Sequence, residues 1–173
     1  MIRKVSAIIG SAAFLVIAPG FVAGTVPWWI SRWQLGPPLF GIVLFRIAGA
    51  VLITLGIMGL LDSFARFAVQ GLGTPAPVFP TRHLVITGLY RYVRNPMYIA
   101  VVSTILGQAL LLGNLTLLAY GGLVWLLFHA FVVIYEEPTL TTTFGFEYKL
   151  YCNDVSRWIP RFTGWSGPQS EKS

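Results

Sequence analysis

This sequence has few of the groups on which soluble metal-binding and dinucleotide-binding domains depend. Cys152 is its one cysteine, so the chain can form neither an internal disulfide nor a cysteine-rich metal site. Charged residues make up 10% of its 173 residues, and no glycine-rich dinucleotide fingerprint is visible. Hydrophobic residues make up 55%, with a mean hydropathy of +0.73, well above that of an ordinary soluble domain. The composition therefore indicates an integral membrane protein.

Four apolar stretches have about the length that a membrane-spanning helix needs, roughly 17 to 25 residues. They cover residues 5–27, 39–61, 97–112 and 115–135. The last two are separated by Gly113 and Asn114, so they must form an antiparallel helical hairpin. The sequence predicts an all-α integral membrane protein with about four transmembrane helices, in a single domain of residues 1–173. Its oligomeric state stays open.

The basic residues predict the orientation of the chain. If the amino terminus is cytoplasmic, ten of the 12 Lys and Arg residues lie on that side, with Arg32 in an outer loop and Arg46 inside the second span. This distribution obeys the positive-inside rule and predicts a multi-pass integral membrane protein with both termini in the cytoplasm. In a bacterium, that membrane would be the inner or cell membrane. The basic residues lie beside apolar spans, so the predicted partner is the lipid bilayer and not nucleic acid. Cleavage of the first span as a signal peptide is an open alternative.

Two polar segments flank the predicted hairpin and should meet at the cytoplasmic face. The first, residues 71–96, begins as a loop rich in Gly and Pro and ends in the motif Gly88-x-Tyr90-x-x-x-Arg94-Asn95-Pro96-x-Tyr98. The second, residues 136–161, begins with Glu136 and Glu137. From Phe144 to Arg161 its apolar residues recur at spacings of three and four, which predicts an amphipathic interfacial helix. Residues 162–173 form a tail.

These segments bring carboxylate, basic and aromatic side chains to one membrane surface. Carboxylates can accept from an ammonium, basic groups can bind a carboxylate, and aromatic faces can contact a sulfonium or a purine. That combination fits the zwitterionic cofactor S-adenosylmethionine. Arg beside Tyr at a membrane surface is also the usual snorkelling anchor, so the pattern by itself leaves a purely structural role open.

Several motifs in the same order resemble one family. The motif ending at Tyr98, the Glu136-Glu137 pair, and the run Phe144-Gly145-x-Glu147-Tyr148-x-x-Tyr151-x-x-x-Val155-x-Arg157-Trp158-x-Pro160 are similar to those of isoprenylcysteine carboxyl methyltransferases and their phospholipid methyltransferase relatives. The resemblance covers roughly residues 75–161. It implies a membrane-embedded methyltransferase that binds S-adenosylmethionine in a pocket formed by cytoplasmic loops and the carboxyl-terminal helix, with the acceptor arriving from the bilayer.

The resemblance also implies a set of cofactor contacts in this chain. They fall in the Pro-rich loop, in the segment after it, in the central motif and at the first glutamate: Pro75, Arg82, His83, Leu84, Val85, Tyr90, Arg94, Asn95, Pro96, Met97, Tyr98 and Glu136.

Two positions depart from the commonest family pattern. Asn95 stands where His is more usual, and an amide can donate hydrogen bonds but cannot carry a proton. Val132 stands where eukaryotic isoprenylcysteine members have an Arg that would meet the substrate carboxylate. A prenylcysteine acceptor is therefore in doubt.

The acceptor is expected to be lipophilic or small, and to present a carboxylate, an amine or a thiol. An amine would have to lose a proton, and Glu137 or His129 is the candidate base. His129 lies seven residues before Glu136, on the same helix face and about two turns deeper.

Two other classes of function stay open. A membrane reductase of the steroid or sterol type would bind NADPH and has a similar Arg-x-x-Tyr run and a Tyr-Cys pair like Tyr151-Cys152. A non-enzymatic membrane subunit would use its basic surface to bind anionic lipid or a partner protein. Neither explains the Glu136-Glu137 pair as well as a methyltransferase does.

Overall fold

The computed structural model describes residues 17–70, 84 and 86–167, without the side chains of residues 67–70. Within these ranges the chain is helical or irregular and contains no strand. Two helical segments are long and apolar enough to cross a membrane, and a third apolar helix is shorter. The predicted all-helical architecture is confirmed for this part of the chain.

Five helices follow one another along the described chain. Helix α1 occupies residues 17–31 and contains a π turn at Phe21–Thr25 before its last segment, Val26–Ser31. The others are α2 (Leu44–Gln70), α3 (Pro96–Leu112), α4 (Leu115–Phe131) and α5 (Glu137–Asp154). A second π turn, Val132–Glu136, joins α4 and α5 into one helical rod, and 3₁₀ turns lie at Leu39–Gly41 and Gly88–Arg91.

Each π turn lies just ahead of a proline. Pro27 and Pro138 both follow a π turn by two residues, and the ring of a proline inside a helix clashes with the carbonyl four residues earlier. A wider turn relieves that clash without ending the helix. In α1 the carbonyl of Ala23, which Pro27 cannot bond, accepts instead from the Gln108 amide at 2.7 Å. This bond ties α1 to α3.

Several element boundaries differ from the sequence-based prediction. The second predicted span began at residue 39, but positive φ angles at Phe40 and Gly41 interrupt the chain there, and the helix runs from Leu44 to Gln70. The fourth was expected to end at residue 135, yet the π turn carries the helix onward past Glu136. The interfacial helix was predicted for residues 144–161, but α5 ends at Asp154. Gly145, with φ 54° and ψ −119°, interrupts α5 near its middle.

Helices α2 and α3 pack closely through small residues. A Cβ added at Gly49 would lie 2.6 Å from the Gly107 carbonyl oxygen, and one added at Gly59 would lie 3.2 Å from the Cβ of Ala100. Small residues let membrane helices approach this closely and gain dispersion contacts. The seam brings the carboxyl-terminal end of α2 beside the amino-terminal end of α3, where the central motif lies.

Residues 155–167 form a non-helical segment, here named the C-terminal strap. Its backbone pairs with the central motif in antiparallel order. The Arg94 amide donates to the Ser156 carbonyl at 3.0 Å, the Arg161 amide to the Tyr92 carbonyl at 2.9 Å, and the Trp165 amide to the Arg91 carbonyl at 2.9 Å. The strap therefore fixes the turn that leads into α3.

Candidate functional site

The first part of the candidate site joins the start of α3 to the end of the second π turn. The Tyr98 hydroxyl donates to Glu136 Oε2 at 2.9 Å. The Tyr98 ring also packs against Phe128 of α4, with ring centroids 4.7 Å apart. A carboxylate can accept several hydrogen bonds, so the bond from Tyr98 leaves Glu136 able to accept from a further donor such as an ammonium group.

Tyr90 lies beside this pair, on the 3₁₀ turn Gly88–Arg91. Burial, and after it the negative charge of Glu136, raises the pKa of the Tyr90 phenol far above its usual value, so the phenol stays a neutral hydrogen-bond donor. The fully buried Ser63 side chain of α2 lies beside the Tyr90 phenol and partly offsets this rise in pKa. The Tyr90 carbonyl accepts from the Tyr151 hydroxyl at 2.6 Å, which connects the turn to α5.

Glu137 faces a different group of residues and is held by two arginines. Arg157 of the strap makes a bidentate contact, with Nε 2.7 Å from Oε1 and Nη2 2.8 Å from Oε2. Arg94 Nη1 donates to Oε1 at 3.0 Å and lies 2.9 Å from the Cys152 sulfur. The hydrogen bonds to Glu137 raise the pKa of Arg157 above its usual value. Side-chain exposure is 18% for Glu137 and 13% for Arg94, so this network is shielded from water.

Asn95, the departure in the central motif, is buried and does not cap α3. Its side-chain nitrogen donates to the Arg157 carbonyl at 3.2 Å. The amide thus holds the strap at the residue whose guanidinium binds Glu137. A donor without acid or base chemistry is sufficient for this contact.

An open cavity of about 450 Å³ adjoins the ion-pair network. Its wall includes Arg94, Glu137, Thr141, Tyr148, Lys149 and Cys152. Lys149 and Arg94 give the wall positive charge, which Glu137 offsets in part. Of the two glutamates, Glu137 lines this cavity, whereas Glu136 and its partner Tyr98 do not.

His129, a candidate base, lies in an aromatic cluster with Trp125 and Trp158. The Trp158 indole N–H donates to His129 Nδ1 at 3.0 Å, and the three ring centroids are 5.5 to 6.4 Å apart. Because Nδ1 accepts this hydrogen bond, the ring hydrogen of the neutral imidazole lies on Nε2. The strap therefore contacts α4 about two turns before the glutamate pair.

Other predicted cofactor contacts have packing roles in the described structure. Leu84 packs against the cluster of Tyr148, Tyr151 and Val155. Pro96 occupies the first turn of α3, and Met97 is buried in the core between helices. Pro75, Arg82, His83 and Val85 lie outside the described residues.

Among the contributors missing from the predicted site residues, two make the polar contacts of the strap. Arg157 binds Glu137, and Trp158 binds His129. Both belong to the Arg157-Trp158-x-Pro160 run that helped to carry the resemblance, so a signal was present. Their partners lie 20 and 29 residues away along the chain, and periodicity along one helix cannot predict contacts made by a strap that folds back.

The model of the phospholipid methyltransferase family matches residues 44–147. Protein-S-isoprenylcysteine O-methyltransferase of Schizosaccharomyces pombe is 37% identical over 80 residues, which are 45% of this chain and 34% of that protein. The chain therefore spans about a third of the length of this curated relative. No solved structure matches the chain.

The resemblance seen in the motifs is confirmed by these comparisons. The family match covers more than half of the sequence, from α2 to the middle of α5, and includes the central motif and both glutamates. The chain belongs to the phospholipid methyltransferase family.

Proposed function

We propose that this protein is a membrane methyltransferase that uses S-adenosylmethionine and acts on a lipophilic or small acceptor at the cytoplasmic membrane face. The observation that carries the proposal is the hydrogen bond between Tyr98 and Glu136, made where α3 begins and α4 ends. In a chain of this family, a partly buried carboxylate bonded to a tyrosine at one end of a helical hairpin supports a binding role for that end.

The chemistry of these side chains fits the cofactor. Glu136 would accept from the ammonium group, with Tyr98 fixing the orientation of the carboxylate. Tyr90 would present an aromatic ring and a neutral hydroxyl, and Arg94 has the charge to attract the cofactor carboxylate. Leu84, Asn95, Pro96 and Met97 would shape this pocket from behind, and the loop with Pro75, Arg82, His83 and Val85 would complete it. When bound, S-adenosylmethionine supplies a methyl group on a positively charged sulfur.

The contacts of the two candidate bases favour positioning over proton transfer. Both oxygens of Glu137 accept from guanidinium groups, and Nδ1 of His129 accepts from Trp158. We infer that Glu137 locks the strap onto α5. The acceptor would then arrive with a lone pair available, as a carboxylate, a thiolate or an unprotonated amine does. Orientation alone can supply about 7 to 11 kcal/mol of the barrier reduction in favourable cases.

The membrane placement belongs to the same proposal. Four spans, formed by α1, α2, α3 and α4, would put the site at the cytoplasmic mouth and both termini in the cytoplasm. The apolar side chains of α4 that face outward, such as Leu126 and Leu127, support contact with lipid. A lipophilic acceptor could then reach the hairpin without leaving the bilayer.

Binding of S-adenosylmethionine to the detergent-purified protein tests the proposal. Isothermal titration should show saturable binding, and Glu136→Gln should weaken it by about 10-fold or more, because a hydrogen bond to a charged group contributes about 1.5–3 kcal/mol. Tyr98→Phe should weaken binding less, since Glu136 keeps its charge. Glu147→Gln is the matched control, because Glu147 is exposed on the same helix.

Three outcomes would count against this proposal. Equal affinity for S-adenosylmethionine in the wild-type protein and both variants would show that Glu136 and Tyr98 do not bind the cofactor. Binding of NADPH in place of S-adenosylmethionine would favour a reductase, and binding of neither would favour a non-enzymatic subunit.

A further inference from the structure

The C-terminal strap holds two large apolar side chains away from the protein. Ile159 is 74% exposed and Phe162 is fully exposed. Both lie in the irregular segment between α5 and the end of the described chain. Isolated apolar side chains are common on protein surfaces, so exposure alone does not assign them a partner. The anchored backbone, the contact with α4 and the nearby basic residues provide the further evidence.

The strap is held in place, so this exposure is a fixed property of the fold. The backbone bonds from Arg161 to Tyr92 and from Trp165 to Arg91 lie on either side of Phe162. The Arg157 carbonyl is bound by Asn95 two residues before Ile159. The two apolar side chains therefore point outward from an anchored backbone.

The depth of Ile159 along α4 follows from the contact made by Trp158, the residue before it in the strap. Trp158 bonds His129, which is eight residues before Glu137, or about 12 Å along a helix. At that level α4 presents exposed apolar side chains, with Leu126 57% and Leu127 61% exposed. Through Trp158, the strap therefore contacts α4 at a level where that helix has exposed apolar side chains.

Basic side chains flank the apolar pair. Arg91 and Arg161 are half-buried, and each makes a bond at the surface: Arg161 Nη1 donates to the Asp154 carbonyl at 3.1 Å, and Arg91 Nη2 lies 3.3 Å from Ser166 Oγ. Arg91 Nε also donates to the Trp165 carbonyl at 2.7 Å. Apolar residues beside Arg at a membrane boundary suit the acyl and headgroup layers of an anionic leaflet.

We propose that the strap docks into the membrane interface, with Ile159 and Phe162 among the upper acyl chains and Arg91 and Arg161 at anionic lipid phosphates. The occupant of this surface is phospholipid. The contact anchors the segment that also carries Arg157 and Trp158, so the bilayer itself helps to hold the candidate site together. This inference does not depend on methyl transfer, and a failure of cofactor binding would leave it intact.

Spin labelling of the full-length protein in nanodiscs tests the docking. With Cys152→Ser as background, nitroxides at Ile159→Cys and Phe162→Cys report collisions with oxygen, which concentrates in lipid, and with a water-soluble nickel chelate. Leu126→Cys is the lipid reference and Asn153→Cys, exposed on α5, is the aqueous reference. Nanodiscs of phosphatidylcholine alone and with phosphatidylglycerol are compared. Should Cys152→Ser not fold, Cys152→Ala provides a second background.

The expected result is oxygen-dominated relaxation at both strap positions, close to that of Leu126→Cys, with stronger nickel exclusion when phosphatidylglycerol is present. Nickel-dominated relaxation, as expected for Asn153→Cys, would place the strap in water and overturn the proposal. Low accessibility to both reagents would show that protein, such as a second copy of the chain, covers this surface, and would also overturn it.

Discussion

At the scale of single residues, the two adjacent glutamates have different partners. Glu136 meets a neutral hydroxyl from Tyr98, whereas Glu137 meets the positive charges of Arg94 and Arg157. Consecutive residues on a helix point about 100° apart, so neighbours in sequence face different surroundings. The consequence is a division of roles, in which Glu136 keeps acceptor capacity for a ligand and Glu137 fastens the strap.

Glu137→Gln should destabilise the protein. The amide cannot balance two guanidinium groups, and removing one partner of a buried ion pair costs about 3–5 kcal/mol. Because Glu137 is 18% and Arg157 31% exposed, we expect roughly 1–3 kcal/mol after allowance for solvent screening. Thermal unfolding in detergent measures this loss, with Glu147→Gln as an unchanged control. A variant with wild-type stability and cofactor affinity but no turnover would instead make Glu137 a catalytic base.

At the scale of secondary-structure elements, the seam between α2 and α3 positions the site. Gly49 and Gly107 let the two backbones touch, and Gly59 lies against Ala100 one turn beyond the start of α3. Tyr90 and Tyr98 are carried by the turn and helix that this seam aligns with Ser63. Packing of small residues far from the polar cluster thus decides where the tyrosines lie.

Gly49→Ala should force α2 and α3 apart. The new Cβ would lie 2.6 Å from both the Gly107 oxygen and the Leu111 nitrogen, and backbone atoms cannot move aside as a flexible side chain would. Overpacking of this kind costs about 1–3 kcal/mol, so the thermal midpoint in detergent should fall. Gly122→Ala in α4 is the matched control, since a Cβ there meets no atom within 4 Å. Equal midpoints for the two variants would show that the seam tolerates separation.

At the scale of the whole molecule, the proposed topology places the polar site, the strap and most basic residues on one side of the membrane. Reporter fusions test this arrangement. A green fluorescent protein fused after Ser173 should fluoresce, because it folds in the cytoplasm. Alkaline phosphatase fused after Asn114, in the hairpin turn, should be active, because that enzyme needs the oxidising side. The opposite pattern would invert the predicted orientation.

Sequence patterns predicted the apolar elements better than the contacts between polar ones. The helices on either side of the hairpin end at Leu112 and begin at Leu115, the same residues that bound the predicted spans, because Gly113 adopts a left-handed conformation and Asn114 caps the next helix. The continuation beyond residue 135 was not predicted. Charged residues followed by Pro138 usually indicate a helix end, and a π turn that accommodates the proline leaves no periodic signal.

The strap is a second part of the fold that the sequence pattern did not predict. Apolar spacing predicted helix as far as Arg161, but the strap gains more from backbone bonds to the central motif and from Arg157 binding Glu137 than from continuing the helix. The backbone pairing joins residues about 60 to 75 positions apart in sequence, and Arg157 lies 20 residues from Glu137. For the candidate site, Tyr90, Tyr98 and Glu136 were predicted from the resemblance, and their proximity comes from the fold.

The π turn at Val132–Glu136 behaves as an insertion of one residue into an otherwise regular helix. Since each residue advances a helix by about 100°, that extra residue sets the azimuth of everything beyond it. Deleting one residue there would swing Glu137, α5 and the strap about a quarter of a turn around the rod axis, away from Arg94. The helix would lose a single residue, and the two halves of the site would no longer face each other.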